Sequence, residues 1–290
     1  NCGIEREMLR VDKNGYLSFT DHPEIFGDKV LNPYITTDFS ESQVEVITPA
    51  LDKIEETYSF LKALYDIVAL EIVDEILWPQ SMPCFIPEDD EIPVAKYSEE
   101  GREAEEYRNK LLKKYGGKKQ LISGIHYNYS FNEEIIRKLY ESSDKELTYK
   151  EYKNSIYLKV ARNYLRYRWI IVYLLGAAPV IHESFLNGCS CKLKQISEDG
   201  YTLDGAVSHR NGECGYRNKE ELYPNYDTVE DYVESINKYV NDGVIDSHKE
   251  LYSQVRLKAK EPKNFLNSLL EDGISYLEYR SIDINPFEKG

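Results

Sequence analysis

The sequence predicts an α+β fold, a sheet packed by helices on one side with its other side lining a polar cup. Three observations carry this. Stretches alternating with period two are separated by stretches with a helical period. Four of the alternating stretches put acids, His, Asn or Arg on one face, and a sheet wet on one side reads that way. At 290 residues the chain is long enough to bury a sizeable core, as one large domain or two small ones.

Residues 3–10 alternate as a strand, with Glu5 and Glu7 on the side of Gly3 and Leu9, and Ile4, Arg6 and Met8 opposite. Asp12-Lys13-Asn14-Gly15 reads as a hairpin turn into residues 16–19, and Pro23, Gly27 and Pro33 mark a loop after it. Glu41, Gln43 and Glu45 then share one strand face, with Val44 and Val46 opposite, Asp38 in the loop before and Pro49 at the end. Over residues 52–77 the period turns helical, with Ile54, Tyr58, Leu61, Tyr65, Val68, Ile72 and Ile76 on one stripe. Residues 98–115 form a charged helix carrying Tyr107 and Arg108, with Gly116 just past its end.

Residues 121–131 return to alternation, Gly124, His126, Asn128 and Ser130 facing away from Ile125, Tyr127 and Tyr129. Asn132 is placed to N-cap a short helix to Tyr140. Residues 150–175 make the longest apolar helix, expected to be the central packing helix. Residues 184–218 read as an irregular, glycine-rich insert holding Arg210 and Tyr216, and long loops of this kind often bind ligands. Thr228 opens a helix to about Val240, in capping-box style with Asp231 in place of Glu. A strand over 251–257 including Tyr252, a helix over 262–271 ended by Gly273, and a last strand over 276–281 complete the chain. That last strand puts Glu278 and Arg280 on one face.

Lys and Arg number 36 against 51 Asp and Glu, a net charge of −15. This argues against nucleic acid or an anionic membrane as a partner, since both demand clustered cations. No run of about 18 apolar residues is present to span a bilayer. No signal peptide or initiator Met opens the chain, so a piece of a longer protein is expected. The five cysteines, Cys2, Cys84, Cys189, Cys191 and Cys214, are odd in number and lack framework spacing, which suggests reduced thiols in a cytoplasm. Cys189-x-Cys191 with His209 and Cys214 sketches a zinc site, but without a C-x-x-C pair structural or incidental thiols are expected.

Electrostatics sharpens the reading of the polar faces. A Glu-x-Glu pair alone is more often the wet face of an exposed strand. Two like charges about 4 Å apart repel by roughly 4 kcal/mol at an effective dielectric near 20. Several converging acids would cost more than a domain's whole stability of about 5–15 kcal/mol unless cations or protons neutralise them. If Glu5, Glu7, Asp38, Glu45 and Glu278 converge near His126, the cup is a multi-metal site, and oxygen ligands with one imidazole favour Mg²⁺ or Mn²⁺ over zinc. Such sites commonly bridge nucleotide phosphates. Neither phosphate-binding glycine motif is present, so any ATP would be held through metals.

Five blocks carry a family resemblance: Gly3-Ile-Glu-Arg-Glu7, Ile35-Thr-Thr-Asp-Phe-Ser-Glu-x-x-x-Glu45-x-Ile-Thr-Pro49, Trp78-Pro-x-Ser-Met-Pro83, Ser123-Gly-Ile-His-Tyr-Asn128 and Tyr276-x-Glu-x-Arg-Ser-x-Asp-Ile-Asn-Pro-Phe287. In this order they resemble bacterial glutamate–cysteine ligase. The resemblance implies a glutamine-synthetase-like fold with a curved antiparallel sheet forming the cup and helices on its outer side. It also implies that residues 1–290 are a single catalytic domain, partial at both ends. The activity implied is ATP-dependent ligation of the glutamate γ-carboxylate to the cysteine amine through an acyl phosphate, the first step of glutathione synthesis.

By the same resemblance Glu5, Glu7, Asp38, Glu45, His126 and Glu278 would be metal ligands, for Mg²⁺ or Mn²⁺. Arg280 would face the transferring phosphoryl group, with Arg108 a second candidate for that duty. Arg210 would pair with a substrate carboxylate, and Tyr107, Tyr216 and Tyr252 would line the cysteine pocket. Glutamate, cysteine and ATP are the expected partners, and a fused ATP-grasp domain in the full protein is a further expectation. Two other readings stay open: a related carboxylate–amine ligase with a different amine, and a non-catalytic nucleotide-binding fragment.

Overall fold

The protein is described from a computed structural model covering residues 1–189 and 191–287. Its elements in chain order are β1 (Cys2–Val11), β2 (Ile35–Thr37), β3 (Gln43–Ile47), α1 (Ile54–Glu71), β4 (Ile76–Leu77), α2 (Arg102–Tyr115), β5 (Ile125–Tyr129) and α3 (Glu133–Glu141). Next come α4 (Tyr149–Leu175), β6 (Ile181–His182), β7 (Lys194–Gln195), β8 (Gly200–Thr202), α5 (Val229–Asn241), β9 (Val255–Lys258), α6 (Phe265–Asp272) and β10 (Tyr276–Ile282). The α+β expectation holds, with antiparallel strand pairing. The chain divides into two compact units: a larger one of residues 3–126, 171–216 and Ser281 onward, and a smaller one of residues 1–2, 127–170 and 217–280.

In the larger unit β3 lies antiparallel between β1 and β2, with Glu7 opposite Glu45 and Thr36 opposite Glu45 on the other side. Alternation decides what each face does. Met8, Val44 and Val46 are all fully buried, clustered with Leu61, Leu64 and Val68 of α1. Each such side chain contributes roughly 1.5–3 kcal/mol on leaving water. Glu5, Glu7 and Glu45, the alternate residues of the same strands, are left for the other face. The expected hairpin forms at residues 12–17: Asp12 Oδ1 accepts from the Asn14 and Tyr16 amides at 2.8 and 2.9 Å, and Gly15 takes φ 86°. The insert after α4 is organised by a small antiparallel sheet, β6–β8–β7.

One helix is shorter than its period implied. The stripe over 52–77 ends as a helix at Glu71, and Ile76–Leu77 is instead a strand paired with Arg10 and Val11. Arg10 explains the break. It is buried on β1, and its Nη1 is 2.5 Å from a carboxylate oxygen of Glu75. A buried guanidinium left without its carboxylate would be costly, and the turn at Glu75, whose amide donates to Ile72 O at 2.9 Å, brings that partner in.

The smaller unit packs Tyr157, Leu158 and Ala161 of α4 with Tyr232, Val233 and Ile236 of α5, against β9 and β10. α4, expected to be the central packing helix, packs through its first half: its buried residues end at Ala161, and Trp169, Tyr173 and Leu174 are exposed. Asn132 caps α3 as expected, accepting from the Glu134 and Ile135 amides at 2.9 and 3.2 Å. β5 and β9 are shorter than their alternation, so Tyr252 precedes β9.

Candidate metal centre

Five of the expected ligands lie in the larger unit, and strand geometry brings them together. Glu5 and Glu7 are two residues apart on β1, and Glu45 faces Glu7 across the β1–β3 ladder. Asp38 follows β2, its amide donating to Gln43 O at 3.1 Å in the turn that leads into β3. On β5, the buried imidazole of His126 lies between the two β1 acids: Nδ1 is 3.2 Å from Glu5 Oε2 and Nε2 is 3.6 Å from Glu7 Oε1. The Gly124 amide donates to Glu7 Oε2 at 2.8 Å and holds that carboxylate in place.

The acids of this group act on one another. Burial pushes the Glu45 carboxyl well above the ordinary carboxylate range, and Asp38, Glu5 and Glu7 push it further, with Arg108 opposing. A carboxyl driven toward its neutral form by burial and by three other carboxylates marks a candidate cation site. The donor set of carboxylate oxygens and one imidazole fits Mg²⁺ or Mn²⁺.

Arg108, on α2, is anchored at the edge of this group by main-chain carbonyls. Its Nε donates to Asp38 O, Nη2 to Thr37 O at 3.3 Å and Nη1 to Ala104 O at 3.2 Å, and it lies over the Tyr97 ring. Arg210, in the insert, donates from Nη1 to Ile282 O at 3.2 Å and lies 3.8 Å from Asp283. Its guanidinium crosses Gly124 so closely that a Cβ there would fall 1.9 Å from Nη2. Gly124 therefore does two things: its amide fixes Glu7 and its bare α-carbon admits Arg210. Tyr107 and Tyr216 are half-buried against the same apolar cluster, Tyr216 edge-on to Tyr115.

The smaller unit holds the other three expected residues. Glu278, buried on β10, has Lys258 Nζ 3.0 Å from Oε1 and Arg280 Nη1 3.2 Å from Oε2. The Arg280 amide donates to Gln254 O at 3.0 Å. Tyr252 donates its amide to Asn218 Oδ1 at 3.0 Å.

One acid read onto the polar face departs from it. Glu41 lies in a turn closed by Gln43 N to Ser40 O at 3.0 Å, so the strand alternation does not reach it. It is buried; burial alone would raise its carboxyl, but Lys29, at 2.7 and 2.8 Å, and the His22 and Lys96 amides hold it below the usual range. Sequence reasoning gave no role to Gly124 or Ser123. Ser123 Oγ accepts from Nε2 of the buried Gln43 at 3.1 Å and links β3 to the segment that carries Gly124 and His126.

The sequence model of the family described as glutamate-cysteine ligase matches residues 1–243 and 237–290. A glutathione biosynthesis bifunctional protein of Clostridium perfringens is 46% identical over 288 residues, 99% of this chain and 37% of that protein. A crystal structure of a bifunctional glutathione synthetase from Pasteurella multocida matches at 37% identity and TM-score 0.85, over 99% of this chain and 36% of that one. The glutamate–cysteine ligase of Francisella tularensis, solved in complex with AMP, matches at 30% identity and TM-score 0.87, over 99% of this chain and 62% of that one. The chain thus spans little more than a third of the bifunctional relatives it matches.

Proposed function

The chain belongs to the glutamate–cysteine ligase family, and on that premise we propose that it carries the γ-glutamylcysteine-forming step of a bifunctional glutathione-making protein. In this reading residues 1–290 are one catalytic domain acting in a cytoplasm, and a second, ATP-grasp domain belongs to the full protein. What carries the proposal is the gathering of Glu45, opposite Glu7 and acted on by Asp38 and Glu5, with His126 between the two β1 acids. No helix among the described residues is long and apolar enough to cross a membrane.

The reaction joins two poorly reactive groups. A glutamate γ-carboxylate oxygen attacks the terminal phosphorus of ATP, giving an acyl phosphate and ADP. The cysteine nitrogen then attacks the acyl carbon, loses a proton, and phosphate leaves with the former carboxylate oxygen. Glu5, Glu7, Asp38, Glu45 and His126 would hold Mg²⁺ or Mn²⁺, with Glu278 assigned to the same duty by the sequence resemblance. When bound, such ions neutralise phosphate charge and draw the phosphoryl group into line.

This chain's own groups do the rest. Gly124 N–H keeps Glu7 turned toward the cluster, and Arg108, fixed by carbonyls, supplies a stationary positive charge at its edge. Arg280 is proposed to face the phosphoryl group, held beside Glu278 by their 3.2 Å pair. Arg210, laid across Gly124, is proposed to pair with a glutamate carboxylate, and Tyr107, Tyr216 and Tyr252 are proposed to select the amine.

The test is phosphate release from MgATP and glutamate by the full-length protein, with each candidate amine in turn. Cysteine-stimulated release with γ-glutamylcysteine as product is expected. Release stimulated by another amine and indifferent to cysteine would replace the substrate, and nucleotide binding without release would replace the ligase by a binding protein.

A further inference from the structure

The insert between α4 and α5 carries a group of side chains that the ligase reading does not use. The Sγ atoms of Cys189, Cys191 and Cys214 all lie within 4.8 Å of one another. Cys189 and Cys214 are joined as a disulfide, and Cys191 Sγ stands 3.0 Å from the first sulphur and 3.1 Å from the second. The expectation of reduced thiols is corrected by the Cys189–Cys214 disulfide, which with Cys191 makes a group of three sulphurs that does not include His209.

Two separate segments are shaped to build it. Cys189 follows a 3-10 helix over Glu183–Gly188, its amide donating to Leu186 O at 3.0 Å. Cys214 is delivered by two successive turns, Gly212 N to His209 O and Gly215 N to Gly212 O, each 3.1 Å. A Cβ at Gly215 would fall 1.9 Å from Arg210 O, so the second turn is closed to any side chain. Cys214 is fully buried and the other two are half-buried, on an apolar bed that includes Ile181 and Phe185.

Three sulphurs at one point suit two chemistries, and the geometry separates them. In thiol–disulfide exchange the attacking sulphur displaces the other along the bond axis. Cys191 is equidistant from both sulphurs and so sits side-on to the bond, a poor line of attack. Three sulphurs from two segments, all within 4.8 Å of one another, are instead placed to cap one side of a soft cation once the Cys189–Cys214 bond is reduced.

We propose that in its reduced form this protein binds a zinc ion through Cys189, Cys191 and Cys214, leaving a fourth position for a non-protein ligand. Zinc–sulphur bonds of about 2.3 Å set the sulphurs about 4 Å apart, so the Cys191 distances of 3.0 and 3.1 Å would widen by about 1 Å and the reduced Cys189 and Cys214 would part to the same spacing. Reduction of the Cys189–Cys214 bond takes two electrons and two protons from two equivalents of a monothiol, which couple to their own disulfide. Each of the three thiols then releases its proton as its sulphur binds the cation. The site is chemically distinct from the oxygen-rich cluster on β1 and β3, which suits hard cations.

The experiment is a Co²⁺ titration of the full-length protein, reduced with a phosphine and kept from oxygen. It is read by near-ultraviolet thiolate-to-cobalt charge transfer, which carboxylate and imidazole ligands do not give. A band saturating at a single equivalent and displaced by Zn²⁺ is expected. It should weaken by about tenfold or more in affinity in Cys191→Ser and stay unchanged in Cys84→Ser, whose buried thiol is not one of the three grouped sulphurs. Cys191 is only half-buried, so its serine variant keeps the fold, which circular dichroism checks. No band in the reduced wild type, or an undiminished band in Cys191→Ser, overturns the proposal.

Discussion

Replacing Glu45 with Gln keeps the shape of the side chain and removes its charge, and the geometry gives the sign of the effect in each metal state. Glu45 is directly opposite Glu7 on the β1–β3 ladder, where facing side chains stand about 5 Å apart. Two carboxylates at about 5 Å repel by roughly 3 kcal/mol at an effective dielectric near 20. Part of this is already relieved, because burial and the neighbouring acids push Glu45 toward its neutral form. The remaining gain from Glu45→Gln in cation-free buffer above neutral pH is therefore about 1–3 kcal/mol, or roughly 2–5 °C in Tm for a domain of this size. Added Mg²⁺ should raise the Tm of the wild type and leave the variant nearly unmoved, because the variant has lost a ligand. Differential scanning fluorimetry in EDTA and in excess Mg²⁺ measures both. A variant less stable than the wild type in EDTA, or stabilised by Mg²⁺ as much as the wild type, would refute the reasoning.

Cation binding should be proton-linked, since a carboxyl held above its usual range must lose its proton to bind. Mn²⁺ affinity is expected to rise as pH rises toward that displaced value, and the heat of binding to differ between buffers of different ionisation enthalpy. For the cation-free protein the sign reverses: stability falls over the same range, because the folded state holds the proton more tightly than the unfolded one. Gly124→Ala should push Arg210 off its seat and not break the backbone, since the clashing atoms are the tip of a side chain. About a tenfold rise in KM for glutamate with an unchanged circular dichroism spectrum is expected, roughly 1.4 kcal/mol. Asn132→Ala removes the cap of α3 and should cost about 1 kcal/mol in urea unfolding while leaving kcat alone.

Much of the acid cluster is legible in the sequence because strands keep strict alternation. Glu5 with Glu7, and Glu45 with the buried Val44 and Val46 beside it, could be assigned to faces by counting. Glu41 was misassigned by the same counting, because the turn at Ser40 to Gln43 resets the register before the strand begins. The end of α1 was hidden for a different reason. Glu75 answers to Arg10, 65 residues away, and no local window contains that pairing. The exposed end of α4 was equally beyond reach, since its apolar stripe runs on past the last buried residue, Ala161. Gly124 and the three cysteines were visible as letters but not as neighbours. Arg210 reaches Gly124 across 86 residues of chain, by the arithmetic 210 − 124. Cys191 and Cys214 are brought together from 23 residues apart by turns whose glycines carry no long-range signal.

The central claim, that the acids of β1 and β3 with His126 form a divalent-cation centre, is tested most directly by Mn²⁺ binding. Electron paramagnetic resonance of free Mn²⁺ during titration of the full-length protein counts bound ions without any assay of activity. The wild type should take up Mn²⁺ stoichiometrically, and Glu7→Gln and His126→Ala should each lose at least one bound ion while keeping the wild-type circular dichroism spectrum. Mn²⁺ uptake in both variants equal to that of the wild type would contradict the assignment.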